Sequence, residues 1–182
     1  MKNIDMTLES IDIRKIHRFR ILLKIVGIYE LIVGLFGVVL LGFDFDAHKY
    51  VSFSSLILFL IVGGYFLFSL YAGFKLFFET ENKIRLSFIT QYFQIPLILT
   101  ANFGYMLYVG AFALIRIVDT GLNFKFGFSC YYIISMISQS KEFFIGINLF
   151  PILIIILLKL TNDKLKSAIV KNKSFEESII ER

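Results

Sequence analysis

The stretch ITQYFQIPLILT, residues 89–100, sets Gln91, Gln94 and Pro96 within a long apolar run. The run covers residues 86–118 and carries Arg116 as its single charged residue. Polar groups without partners are costly in lipid and in a protein interior. The stretch therefore predicts either a functional site or polar contacts that hold neighbouring helices together.

The composition of the chain points to lipid as its solvent. Of its 182 residues 57% are hydrophobic, the mean hydropathy is +0.76, and 22 phenylalanines stand against two prolines. The apolar residues gather in four runs near or above the 18 residues that span a bilayer, at 21–43, 51–78, 86–118 and 143–160. Spanning segments must satisfy their own backbone hydrogen bonds, and solidly apolar runs of this length favour helices over barrel strands. We predict an all-α integral membrane protein, a four-helix transmembrane bundle with up-down topology.

Charge placement predicts the orientation of this bundle. Fifteen of the nineteen Lys and Arg residues flank the runs on one side when the N-terminus is placed inside. Both termini are then cytoplasmic, with a basic amphipathic N-terminal segment (1–20), a transmembrane domain (21–160) and a charged tail (161–182). The bacterial inner membrane or its equivalent is the expected location. Topology also explains the net charge of +5, so no nucleic-acid partner is expected.

An outer segment, residues 119–142, separates the third and fourth predicted helices. Leu122, Phe124, Phe126 and Phe128 alternate with more polar or small residues, a period of two that indicates a strand or extended segment. A fifth span is disfavoured because it would bury Lys125 and move the basic tail outside. An amphipathic interfacial piece and a short hairpin remain as alternatives for this segment.

Polar residues at similar depth predict a buried cluster between the helices. On a continuous third helix Gln91, Gln94, Asn102 and Tyr105 would share one stripe, with Pro96 introducing a kink. Its further members, on the first and fourth helices, are Glu30 and Asn148. Such a cluster either locks helix packing through hydrogen bonds or makes Glu30 a proton or cation site.

Small residues predict where helices approach closely. On the first helix Gly27, Gly34 and Gly37 share one face with Glu30, and the four residues follow one another at three- and four-residue steps; Ser69 and Gly73 lie one turn apart on the second. Residues without bulky side chains let helix backbones come together in lipid.

Signatures of catalysis are weak in this sequence. Asp44, Asp46 and His48 offer oxygen and imidazole groups, but a short exposed loop seldom completes a coordination shell, and a solvated loop is the simpler interpretation. Cys130 is the single cysteine, and the chain shows no phosphate-binding loop or nucleophile motif. We expect no cofactor, no metal site and no enzyme activity.

Three functions remain open from the sequence. The first is an association or accessory subunit in the bilayer, binding a second copy or a larger membrane-protein partner. The second is a small transporter or channel subunit that uses Glu30 and the Gln/Asn stripe of the third helix. The third is a lipid-modifying membrane enzyme, for which Asp44, Asp46 and His48 are the nearest candidate residues.

Overall fold

The computed structural model describes residues 2–47, 53–79, 83–100, 102–118, 120–135 and 143–180. It contains long and short helices together with an antiparallel sheet. In chain order the elements are α1 (Lys2–Ala47), α2 (Phe53–Phe78), α3 (Ile84–Phe93), β1 (Pro96–Leu99), β2 (Gly104–Val118), β3 (Gly121–Ser135), β4 (Phe144–Asn148) and α4 (Leu149–Ile180).

The predicted all-α four-helix transmembrane bundle is wrong. The run 86–118 divides into most of α3, then β1 and β2, and the run 143–160 divides into β4 and the start of α4. Length and hydropathy do not separate a buried strand from a buried helix, and β-branched and aromatic residues favour the strand. The apolar content of these two runs was therefore not sufficient to predict helices.

Pro96 ends a helix rather than kinking one. The last turn of α3 tightens, with the Gln94 N–H donating to the Gln91 carbonyl at 3.0 Å and the Ile95 N–H donating to the Tyr92 carbonyl at 3.2 Å. Proline cannot donate a helical hydrogen bond, and it pushes the residue before it away from helical geometry. Strand β1 begins at Pro96 itself.

Two helices remain as candidate membrane spans. Within the described residues, Arg14–Phe43 of α1 and Leu56–Phe78 of α2 are long and apolar enough to cross a bilayer. Helix α3 has only 10 residues, and the apolar start of α4 meets Lys159 within its first three turns. Four spanning helices are therefore not present in the described residues. The predicted boundaries near residues 20 and 160 fall inside α1 and α4, which are continuous there.

The sheet has the order β1-β4-β2-β3, and β1 pairs in addition with β2. Every pairing is antiparallel: β1 with 104–106 of β2, β4 with 114–118 of β2, and β1 with β4. These three pairings are compatible only if the two ends of β2 run in roughly opposite directions. Gly110 lies between them with a φ of +88°, a conformation that glycine adopts without strain. We assign the bend in β2 to Gly110.

Strand β3 follows β2 over its whole length, from the pair Val118–Gly121 to the pair Gly104–Ser135. The period of two at residues 122–128 is thus the period of strand β3, which forms a hairpin with β2 rather than a separate interfacial segment between two spanning helices. Residues 136–142 of that segment lie outside the described residues.

Three apolar clusters make up the core. One joins α4 to α1, α2 and α3, a second fills the interior of the sheet, and a third lies between the sheet and the α1–α2 pair. The buried members of the third cluster are Val33, Leu41, Val62, Phe66, Leu107 and Val109. The sheet therefore packs directly on both candidate spans, on the second half of the one in α1 and the first half of the one in α2.

Candidate functional site

Close contact between α1 and α2 fixes the position of Glu30. A Cβ built on Gly27 would lie 2.9 Å from the Gly73 carbonyl oxygen, and one on Gly73 would lie 2.7 Å from the Gly27 carbonyl oxygen. Added Cβ atoms at Gly34 and Gly37 would likewise meet α2, at Leu70 and Phe66. Ser69, the remaining predicted small residue, is 1% exposed on α2. Because glycine permits this approach, Glu30 is held inside the fold.

The Glu30 side chain is 1% exposed and binds three side chains of α3. The Ser87 hydroxyl donates to Oε2 at 2.7 Å, and the Gln91 amide donates to Oε1 at 2.9 Å. The Thr90 hydroxyl lies 3.0 Å from Oε1 and 2.9 Å from the Ser87 carbonyl oxygen, so its single proton is shared between two acceptors. All three donors are neutral, and they join α1 to α3.

A second group of polar side chains lies along the bent strand β2. Between the residues that pair with β1 and those that pair with β4, the N–H groups of residues 109, 111 and 113 point to the same edge. Side chains accept all three hydrogen bonds: Gln94 Oε1 from Val109 at 3.0 Å, the Tyr29 hydroxyl from Ala111 at 3.2 Å, and Asn148 Oδ1 from Ala113 at 3.1 Å. These side chains take the place of a neighbouring strand.

Tyr29 and Asn148 each have a further role at this edge. The Tyr29 hydroxyl donates to the Val109 carbonyl at 3.4 Å, so it both donates to and accepts from β2. Asn148 Oδ1 also accepts from the Phe150 N–H at 3.2 Å, the geometry of an asparagine N-cap on α4. Its own N–H donates to the Ile95 carbonyl at 2.9 Å. The Asn148 side chain is fully buried, and its Nδ2 has no hydrogen-bond partner within the described residues.

The six predicted cluster residues therefore separate into four environments. Glu30 and Gln91 are in direct contact. Gln94 and Asn148 are buried but bind the backbone of β2 rather than Glu30. Tyr105 donates to the Phe93 carbonyl at 2.7 Å, and Asn102 is exposed at a bend before β2. The predicted single stripe is not formed, because the helix on which it was drawn ends at Phe93.

Sequence reasoning did not place Thr90, Tyr29 and Tyr65 in this site. Thr90 contacts Glu30, and the Tyr65 hydroxyl donates to the Thr90 carbonyl at 3.1 Å. The pattern Ser87-x-x-Thr90-Gln91, with helical steps of three and four, was a readable signal for one polar face on α3. Tyr29 carried no such signal, because its partner is the backbone of a strand.

Asp44, Asp46 and His48 offered ligand groups, for which the sequence favoured a solvated loop over a metal site. The described residues contain no group of three or more His, Cys, Asp or Glu residues that could hold a metal ion. Asp44 and Asp46 belong to the last turns of α1, and His48 lies outside the described residues.

Comparison of the chain with known protein families, with curated proteins and with solved structures gave no match. What the site does must therefore be inferred from its geometry. That geometry consists of a buried carboxylate held by neutral donors, together with three polar side chains that complete the hydrogen bonds of a bent strand.

Proposed function

We propose that this protein is an integral membrane protein that acts by association with other chains, as an accessory subunit rather than as a catalyst. Helices α1 and α2 would cross the membrane as an antiparallel pair. The expected surroundings are the lipid bilayer and either a second copy or a larger membrane-protein partner.

The outward surface of α1 supports a lipid environment. Ile25, Ile28, Ile32, Leu35 and Val39 are each at least 43% exposed, and their steps of three and four residues form one stripe along the helix. Soluble proteins rarely leave an apolar surface of this extent uncovered.

Helix α2 carries a similar stripe. Its exposed apolar residues include Leu60, Leu67, Tyr71, Phe74 and Phe78. Acyl chains would cover both stripes without requiring the helices to bury them in protein.

The observation that carries the association proposal is the use made of the interior polar side chains. Glu30 binds α3, while Gln94 and Asn148 bind the backbone of β2. The oxygens of these side chains accept hydrogen bonds within the fold, so we take the extensive apolar surface as the part of the molecule that another chain would recognise.

The distribution of Lys and Arg supports an orientation with both termini on the cytoplasmic side, as in the bacterial inner membrane. Single cysteines at Phe53, exposed at the start of α2, and at Lys166 on α4, in a chain with Cys130 replaced by serine, would test it. An impermeant maleimide added to intact cells should label position 53 and spare position 166. The opposite pattern would reject the proposed orientation.

Mild isolation from native membranes tests the association itself. The full chain should resist extraction by alkaline carbonate and should carry a stoichiometric companion, either a second copy or another membrane protein, after crosslinking in the membrane. Release by carbonate would contradict membrane insertion. A monomer without companions would contradict association.

One observation favours a second candidate, a transporter or channel subunit. Glu30 places a buried carboxylate near the middle of the candidate span Arg14–Phe43, and intramembrane carboxylates often mark ion or proton pathways. Glu30→Gln should then abolish proton- or cation-coupled flux in proteoliposomes, while Ser69→Ala on α2, away from the described contacts of the carboxylate, should preserve it. Unchanged flux in Glu30→Gln at equal folded yield would remove this candidate.

A further inference from the structure

Strand β3 lies at one edge of the sheet that the described residues form. Within those residues it pairs with β2 alone, along all 15 of its residues. In its half nearest the hairpin turn, residues 121–129, no described strand pairs with the N–H and C=O groups that point away from β2. Natural proteins usually protect an edge of this length with charge, proline or a bulge, but β3 contains Lys125 as its single charged residue and no proline.

Part of strand β3 packs beside the two candidate membrane spans. Cys130, Tyr132 and Ile134 pack against the cluster formed by α1, α2 and β2, and the Phe128 ring lies 6.5 Å from that of Phe36 on α1. The neighbouring residues of α1 and α2 belong to the candidate spans. If those spans cross a bilayer, part of the β3 edge lies at the depth of the acyl chains, where unpaired backbone groups are strongly disfavoured.

The half of β3 nearest the hairpin turn also exposes large apolar side chains. Leu122, Phe124, Phe126 and Phe128 are 60%, 65%, 87% and 62% exposed, all on one face of the strand. An edge that offers both free backbone groups and uncovered rings can be satisfied by another apolar strand, whereas lipid can cover only the rings.

We propose that β3 pairs antiparallel with β3 of a second copy, which joins the two sheets across a two-fold axis. This inference rests on the proposed association function and names the partner. A symmetric pair presents the same edge twice, so the exposed backbone and the exposed rings of both copies are covered together.

Charge indicates the register of this pairing. A two-fold axis at Gly127 sets Phe126 opposite Phe128 of the second copy and Lys125 opposite its Ser129. A register centred on Lys125 would instead set two like charges directly opposite each other, which is destabilising. Gly127 carries no side chain to obstruct the axis, so the first register is the expected one.

The exposed rings limit the area that this pairing can cover. With roughly 200 Å² for a fully exposed ring, the three phenylalanines present about 430 Å² per copy. If pairing covered all of that surface in both copies, together with Leu122 and the edge backbone, the interface would approach the ~1,200 Å² at which specific interfaces begin. The pairing is therefore at most the size of a small specific interface.

Site-specific photocrosslinking in native membranes tests the inference. Phe126 is replaced by benzoylphenylalanine in the full chain, which is expressed together with two different tags, and Phe53 on α2, 79% exposed, is the matched control position. Illumination should give an adduct of twice the chain mass that carries both tags from position 126, with little from position 53. Phe126→Lys should raise the dissociation constant of the dimer in detergent about tenfold or more, while Phe53→Lys leaves it unchanged.

The other outcomes separate this inference from the proposed function. An adduct with a different protein at position 126 would overturn the second-copy inference and leave association intact. Lipid adducts alone, with a monomeric chain after isolation, would overturn both. An unchanged dissociation constant in Phe126→Lys, with helix content preserved by circular dichroism, would show that β3 is not the interface even if the chain is dimeric.

Discussion

Replacing Gly27 by alanine should destabilise the α1–α2 pair, because the new Cβ would meet backbone atoms that cannot rotate away. It would lie 2.9 Å from the Gly73 carbonyl oxygen and 2.9 Å from the Phe77 nitrogen. Relief requires the two helices to move apart. That movement would loosen the packing that surrounds Glu30 on the neighbouring turn.

The magnitude follows from two opposing effects. Overpacking of a tight interface lowers the free energy of unfolding by about 1–3 kcal/mol, and contact with backbone on both sides favours the upper part of that range. Alanine gains up to about 1 kcal/mol over glycine in helix propensity. We expect a net loss of about 1–2 kcal/mol for Gly27→Ala. A similar loss is expected for Gly73→Ala, whose Cβ would lie 2.7 Å from the Gly27 carbonyl oxygen and 2.8 Å from the Leu31 nitrogen.

Gly64→Ala is the matched control, since Gly64 lies in α2 but a Cβ there meets no atom within 4 Å. The variants are purified in the same detergent and unfolded by titration with SDS, with helix content followed by circular dichroism. Gly64→Ala should be as stable as the wild type or more stable, and Gly27→Ala less stable. Equal stability of Gly27→Ala and Gly64→Ala would refute the close approach of α1 and α2.

Three further changes test the polar contacts, each by the same unfolding titration unless another measurement is given. Glu30→Ala removes the common acceptor of three buried donors and should lower the free energy of unfolding by about 2–3 kcal/mol, whereas the nearly isosteric Glu30→Gln should lose less; equal losses would contradict a hydrogen-bonding role. Gln94→Leu leaves the Val109 N–H without its acceptor, so that amide should exchange faster with deuterium and stability should fall by about 1–3 kcal/mol; unchanged exchange would show that another acceptor serves it. Gly110→Ala should lower stability by at least about 1 kcal/mol, because alanine disfavours positive φ and its Cβ would lie 2.6 Å from the Tyr29 hydroxyl; wild-type stability would mean that the bend in β2 does not need glycine.

The parts of the fold that could be predicted from the sequence are the helices formed by long, uninterrupted apolar runs. Helices α1 and α2 are long, continuous and apolar, and no proline interrupts them. The run 86–118 is also long and mostly apolar, but Pro96 stops the helix and many of the residues after it suit a strand equally well. Pairing with β3 and β4 selects the strand conformation of β2. Pairing between segments that are distant in sequence cannot be predicted from the local pattern of apolar residues.

The candidate site shows the same limit at the level of single residues. Gln91 lies before the end of α3, where helix geometry applies, and its amide donates to Glu30 of α1. Asn102 was placed on the same stripe by extending that geometry past Pro96, and it is instead exposed. The rule of 100° per residue is valid only as far as the helix continues. The side chains that hydrogen-bond to Glu30 are therefore all found at residues 87–91, before α3 ends.

The bent strand gives a physical reason for polar side chains in an interior that is otherwise apolar. A strand that turns away from its neighbours leaves buried N–H groups unpaired, and each of these requires an acceptor wherever water is absent. Gln94 and Asn148 supply two of these acceptors from different elements, so they also fix the ends of α3 and α4 against the sheet. A buried Gln or Asn within an apolar run can therefore indicate irregular backbone nearby, and it does not by itself indicate a transport path. Glu30 differs from these amides because its three partners are side chains. Its contribution to packing is measured by the unfolding of Glu30→Ala and Glu30→Gln. Any contribution to ion or proton transport is measured separately, by the flux of Glu30→Gln at equal folded yield.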